Sequence, residues 1–306
     1  MSAPRKRIVI AGGSGFIGSA LTREFRSRNY EIVILTRKPR EWRNDALETE
    51  WDGKHIGEWV KYLNGAEAVI NLAGKNINAP FEPNHLREVA ETRIQSVRAI
   101  SVACAHVAVP PRVWVQASAI GFYGNRHDES CDEKSLAGDD ALAEICKQWE
   151  GVFNSATVPK IRKVLLRIGF VLGRSGGALP VLSGLTRLFL GGRVGHGKQF
   201  ISWIHIADLA EMFVETIENP NFSGTYNATA PNPVTNKEFM RELRHALHRP
   251  WTPPAPEWAV KFGSKLMNSE PSLALDGCRV VPKRFLDANF PFLFSQLRPA
   301  LKNLYP

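Results

Sequence analysis

Two alternating patterns of apolar positions run through the first 170 residues. Short, nearly continuous apolar runs occur at Arg7–Ala11 (RIVIA), Glu31–Thr36 (EIVILT), 68–72 (AVINL), 113–117 (VWVQA) and 164–168 (VLLRI). Such runs predict strands buried on both faces. Between the first two, Phe16, Ile17, Ala20, Leu21 and Phe25 recur at helical spacing and predict a helix over 16–28. Further helical patterns span about 85–107 and 140–154. Alternating helices and fully apolar strands predict a parallel sheet covered on both faces. This is an α/β, doubly wound, Rossmann-like architecture.

Beyond residue 170 the pattern loosens. Gly173, Gly176, Gly177, Gly191, Gly192, Gly195 and Gly197 mark long connections. Thr235 and Glu238 have the spacing of a capping box, which predicts a helix from there to about His248. Pro250, Pro253, Pro254 and Pro256 then interrupt the chain, and the last 50 residues read as short helices. The expected organisation is a dinucleotide-binding region over 1–170, completed by sheet segments from about 199–230. A substrate-side region over 171–250 and a small helical region over 251–306 follow.

Composition narrows the class. With 44% hydrophobic and 23% charged residues in 306, the chain reads as an ordinary globular protein. No apolar stretch approaches the ~20 residues of a membrane span, so no membrane partner is expected. Cys104, Cys131, Cys146 and Cys278 are scattered without a C-x-x-C pair. Neither a disulfide framework nor a metal site is expected, and the pattern suits a reducing compartment. The leader Met1–Arg7 lacks the apolar segment of a signal peptide, so the expected location is cytoplasmic. The net charge of +9 is concentrated early, with ten Lys/Arg against four Asp/Glu in residues 1–45. No nucleic-acid-binding motif accompanies it. The excess suits a polyanionic small molecule better, so a nucleic-acid partner is the weaker expectation.

The most informative segment joins the first strand to the first helix. Gly12, Gly15 and Gly18 form G-x-x-G-x-x-G, with Phe16 and Ile17 opening the helix. The first glycine allows a tight turn and the second admits a pyrophosphate. The third lets helix and strand pack closely. The helix N-terminus adds partial positive charge facing the phosphates. An NAD site would place a carboxylate at the end of the second strand to hold the ribose 2′-hydroxyl. Here Thr36, Arg37 and Lys38 stand there, so a 2′-phosphate and therefore NADP are predicted.

These segments resemble the extended short-chain dehydrogenase/reductase superfamily. The resemblance is closer to an atypical epimerase-family subgroup, described as nucleoside-diphosphate-sugar epimerase-like. It is carried by Gly12–Gly18, Asn71-Leu72-Ala73-Gly74, the run from Ser118 to Tyr123-Gly124, and Trp149-Glu150. It continues through 166–173 (LRIGFVLG), 203–208 (WIHIAD) and 279–284 (RVVPKR). It implies a nicotinamide cofactor, backbone lining of the cofactor by Asn71, Leu72, Ala73 and Gly74, and a small C-terminal helical domain. It also implies a catalytic Ser or Thr with a Y-x-x-x-K pair on one helical face, the phenol moving a proton and the lysine lowering its pKa. This sequence departs from that pattern. Taking Lys147 as the lysine puts Ala143 at the tyrosine, and matching on Glu150 pairs Leu142 with Cys146.

The remaining candidates follow from position. Ser118 ends a strand, where open α/β sheets bind ligands; its alternative is to cap a turn. Tyr123 could supply the missing phenol or pack beside the cofactor, and Lys147 could reach a ribose hydroxyl or lie on the helix surface. The resemblance implies that Lys75 and Asn76 begin a substrate-facing loop. Arg167 is a cation within an apolar run and needs a partner, either an internal carboxylate or a substrate anion. His205 is a candidate substrate contact. Three readings follow. One is an NADP-dependent oxidoreductase or epimerase acting on a small polar, nucleotide-linked substrate with a non-standard acid/base. The second is a non-catalytic NADP(H)-binding sensor or partner-binding protein, and the third a nucleic-acid binder. The sequence leaves oligomeric state open.

Overall fold

The computed structural model describes residues 5–40, 46–266 and 268–306. Met1–Pro4 of the basic leader and residues 41–45 lie outside them.

Arg7–Ala11 forms strand β1, and after the glycine turn Phe16–Ser27 forms helix α1, burying Gly18, Ala20, Leu21, Thr22 and Phe25. Glu31–Thr36 (β2) returns parallel to β1 with Ile8 opposite Ile32. Leu47–Glu50 (β3) adds to β2 at the edge. Its sequence, LETE, has no apolar run, because an edge strand needs none. Ala68–Asn71 (β4) lies on the other side of β1. Pro83–His106 (α2) crosses to Val113–Ala119 (β5), which pairs with β4. Ser130–Cys131 (β6) stands outside the main sheet.

Ala141–Ser155 (α3) starts at Asp140, whose side chain accepts from the Ala143 N–H. It leads into Arg162–Ile168 (β7), parallel to β5. Phe170–Leu172 (β8), Leu179–Arg187 (α4), Phe200–Ile201 (β9) and Trp203–His205 (β10) follow. Ile206–Glu218 (α5) brings the chain to Gly224–Ala228 (β11), which pairs with β7. The result is one seven-stranded parallel sheet in the order β11-β7-β5-β4-β1-β2-β3. The order reverses between β1 and β4, and in such sheets the crevice at the carboxyl ends of those strands binds the ligand.

After Val234–Thr235 (β12), the capping box forms as expected. The Thr235 side chain accepts from the Glu238 N–H, Glu238 reaches back to Thr235, and Asn236–Ala246 (α6) follows. The C-terminal part consists of Glu257–Leu266 (α7), Ser272–Leu275 (α8), the short strand Arg279–Val280 (β13), Lys283–Asp287 (α9) and Leu297–Leu304 (α10). β13 pairs with β6, which ties this part to the sheet-bearing region. Among the described residues no helix is long and apolar enough to cross a membrane.

Candidate functional site

The glycine turn sits at the carboxyl end of β1, at the switch point. Gly12 has a left-handed backbone (φ 73°), and a Cβ there would stand 3.0 Å from the backbone of Leu72 and Ala73. The turn therefore nests against the segment leaving β4. A Cβ on Gly18 would lie 2.3 Å from the Gly13 carbonyl oxygen, so helix and turn touch without room for a side chain. Gly15 differs. Its absent Cβ would meet only the Gly12 oxygen at 3.7 Å, and α1 begins there with no capping side chain and no acidic residue in its first turn. Helix-end N–H groups without a side-chain acceptor are the donor set a pyrophosphate needs. These residues fit a dinucleotide. Phe16 packs against the loop beyond β8, since a Cβ on Gly173 or Gly176 would strike its ring. Ile17 is half-buried against the core.

The end of β2 is polar and cationic. Thr36 Oγ1 and Ser14 Oγ are 3.3 Å apart, while Arg37 and Lys38 are exposed. On the other side of β1, Asn71 at the end of β4 is fully buried. Its Nδ2 donates to Ser96 Oγ and Gln116 Oε1, both at 3.0 Å, and its Oδ1 accepts from the Ala73 N–H at 3.1 Å. Asn71 thus holds the shape of the Leu72–Ala73–Gly74 turn while its side chain faces inward. Lys75 pairs with Glu88, and Asn76 Oδ1 accepts from the Asn78 N–H. The loop they begin is joined to the C-terminal part, where Glu270 accepts from the Phe81 N–H at 3.0 Å and Ser269 donates to Asn78 at 2.6 Å.

At the end of β5 the structure builds a closed polar network. Ser118 is buried and donates to Glu150 Oε1 at 2.6 Å. Arg167 grips the same carboxylate twice, Nε to Oε1 at 2.9 Å and Nη2 to Oε2 at 2.7 Å. Its Nη1 donates to the Tyr123 hydroxyl at 2.9 Å, and that hydroxyl donates to Asn227 Oδ1 at 2.6 Å. The guanidinium stacks 3.4 Å from the Phe122 ring centroid. Of the two partners the sequence leaves open for Arg167, the structure supplies the internal carboxylate. Tyr123 is fully buried, and burial pushes its phenol up to about 12 against the opposing pull of Arg167. The phenol is thus held inside the network, accepting from Arg167 and donating to Asn227.

Helix α3 settles which residues face this end of β5. A Cβ on Gly121 would lie 3.5 Å from Leu142 Cβ and 3.9 Å from Cys146 Sγ, and Cys146 Sγ stands 3.8 Å from the Ala119 oxygen. Leu142, Cys146 and Glu150, each four residues apart, share the inward face. Lys147 is off that face and pairs with Glu144 at 2.7 Å on the exposed side. Of the two positions the sequence leaves open for Lys147, the structure places it on the helix surface. Burial also pushes the Cys146 thiol up to about 12.

His205 is buried at the start of α5. Its Nδ1 accepts from the Ala207 N–H at 3.1 Å, capping α5, and its ring lies 4.1 Å from that of Phe294. Burial lowers its pKa to about 4. The neighbouring Asp208 is buried and accepts from the N–H groups of Leu293 and Phe294. Both residues contact the C-terminal segment around Phe294. Sequence reasoning missed Glu150, Asn227 and Gln116 as partners. Only Glu150 carried a signal, within the Trp149-Glu150 pair.

A bare helix end at a glycine turn, set at the switch point of a parallel sheet, defines a nucleotide-cofactor-binding α/β protein. A family model described as "NAD dependent epimerase/dehydratase family" matches residues 8–229, and the chain belongs to that family. A second model, a domain of unknown function (DUF1731), matches 255–304. The chain is 35% identical to the epimerase family protein SDR39U1 of Bos taurus, covering 97% of this chain and 99% of that one. It is 34% identical to the chloroplastic SDR39U1 homolog of Arabidopsis thaliana, covering 96% and 85%. The solved human SDR39U1 (isoform 2) with NADPH superposes with a TM-score of 0.87 at 31% identity, covering 98% and 99%.

Proposed function

We propose that this protein binds NADP(H) at the Gly12–Gly18 turn and does not run the family's phenol-based epimerisation. The carrying observation is the inward face of α3, where Leu142 and Cys146 stand at the i, i+4 positions facing the end of β5. Neither side chain exchanges a proton near neutral pH. The cofactor assignment is supported by the bare α1 N-terminus, by Arg37 and Lys38 beyond β2, and by the NADPH in the human relative. In this reading the α1 N–H groups hold the pyrophosphate, and Arg37 and Lys38 hold the 2′-phosphate. The Leu72–Gly74 backbone lines the crevice, fixed from beneath by Asn71. Bound NADPH would supply a hydride. The protein is then a cofactor-binding module whose conformation reports the bound form. We also assign it to the cytoplasm, supported by four free cysteines that a reducing compartment maintains.

The Ser118–Glu150 contact favours a second reading, a reductase of a small polar substrate. There Ser118 would orient the substrate carbonyl oxygen, the hydride from bound NADPH would go to the carbonyl carbon, and the oxygen would take the Ser118 hydroxyl proton, which solvent then replaces. The experiment is a screen of sugar nucleotides and small carbonyl compounds with NADPH, followed by nicotinamide absorbance, alongside a cofactor titration. The proposed function expects saturable binding and no substrate-dependent oxidation. Turnover abolished by Ser118→Ala would establish the second reading instead.

A further inference from the structure

Helix α4 ends in three consecutive exposed apolar residues, Leu188 (70% exposed), Phe189 (55%) and Leu190 (62%). Phe189 has a left-handed backbone (φ 61°), a conformation that costs an aromatic residue energy. A strap from the C-terminal part runs alongside. Arg249 lies 5.4 Å over the Phe189 ring, Gly192 abuts Pro253, and Val194 bridges Ala255. The strap adds Trp251 (75% exposed) and leads into α7, where Trp258 (74%) and Phe262 (69%) form one exposed stripe. Exposed apolar residues gathered this way mark a contact surface.

Along the sequence, the charges flanking the tip have one sign. Residues 187–198 contain Arg187, Arg193 and Lys198 and no Asp or Glu; residues 243–256 contain Arg244 and Arg249 and again no Asp or Glu. Nearby Glu242 is already held by Arg241 and Arg298. Glu257, at the start of α7, is the next carboxylate along the strap and packs against Gly195, beyond the tip itself. We propose that the Leu188–Leu190 tip, with Trp251 and the arginines beside it, docks on the anionic surface of a lipid bilayer. Apolar and aromatic side chains seated among arginines match the boundary between headgroups and acyl chains. A second copy of this chain fits less well, because a two-fold contact would set this patch, with Arg187 and Arg249, against the same cationic patch. The docking needs no membrane span, so it goes beyond the expectation of no membrane partner and is independent of the cofactor reading.

The test is flotation of the full chain with vesicles of phosphatidylcholine alone or mixed with phosphatidylserine. The expected result is recovery with the anionic vesicles only, weakening with salt and about five-fold weaker for each of Arg187→Gln and Arg249→Gln. A Leu188→Ser/Phe189→Ser/Leu190→Ser variant should keep its far-ultraviolet circular dichroism and NADPH binding and lose flotation. Equal recovery with both vesicle types, or with none, overturns the proposal. So does flotation that survives the triple substitution. A dimer in sedimentation equilibrium that the triple substitution dissolves would overturn it by assigning the patch to self-association.

Discussion

Arg167 and Glu150 face each other in the interior through two parallel hydrogen bonds, at 2.9 and 2.7 Å, from β7 to α3. Ser118 from β5 and Tyr123 from the following turn attach to the two ends of this pair. The pair thus fixes the distance between α3 and the sheet edge that faces the crevice.

Breaking that pair should be costly. Arg167→Gln leaves a buried carboxylate without its cation and is expected to cost about 3–5 kcal/mol in urea unfolding. Arg167→Met combined with Glu150→Leu should recover much of that loss, because no lone charge remains. A double substitution as damaging as the sum of the singles would show that the two residues act separately.

The glycine turn makes a steric prediction. Gly18→Ala places a methyl group against the Gly13 backbone, which has no flexible end to yield. Loss of about 1–3 kcal/mol of stability is expected, together with weaker cofactor binding, both read by thermal shift with and without NADPH.

Stability should fall on acidification partly through His205. Its folded pKa is depressed, from 6.5 to about 4, so the unfolded chain binds the proton first as pH drops. This contribution is complete above about pH 6.5 and is lost as pH falls towards 4. His205→Asn keeps a capping oxygen for the Ala207 N–H and should flatten the pH dependence of unfolding free energy across that window. An unchanged slope would mean that other groups carry it.

Much of this was legible in the sequence, for physical reasons. β1 and β2 were visible because strands covered on both faces must be apolar throughout, and the Thr235–Glu238 box was visible because capping is local. β3 was hidden by its polar edge-strand sequence. The roles of Arg167, Tyr123 and His205 were hidden because their partners come from distant elements. Glu150 is 17 residues from Arg167, Asn227 is 104 from Tyr123, and Phe294 reaches His205 from the far end of the chain. The face that α3 presents was equally ambiguous, because one helix sequence admits Leu142–Cys146 or Ala143–Lys147 until packing selects between them.

The central claim, a 2′-phosphorylated dinucleotide on the Gly12–Gly18 turn, is tested most directly by fluorescence titration with NADPH and with NADH, for the natural protein and for Arg37→Glu. A charge-assisted contact of about 1.5–3 kcal/mol corresponds to roughly a 10- to 150-fold preference for NADPH. The account predicts that preference in the natural protein and its loss in Arg37→Glu, with NADH binding no weaker than before. Equal affinity for the two cofactors, or binding of neither, would contradict it.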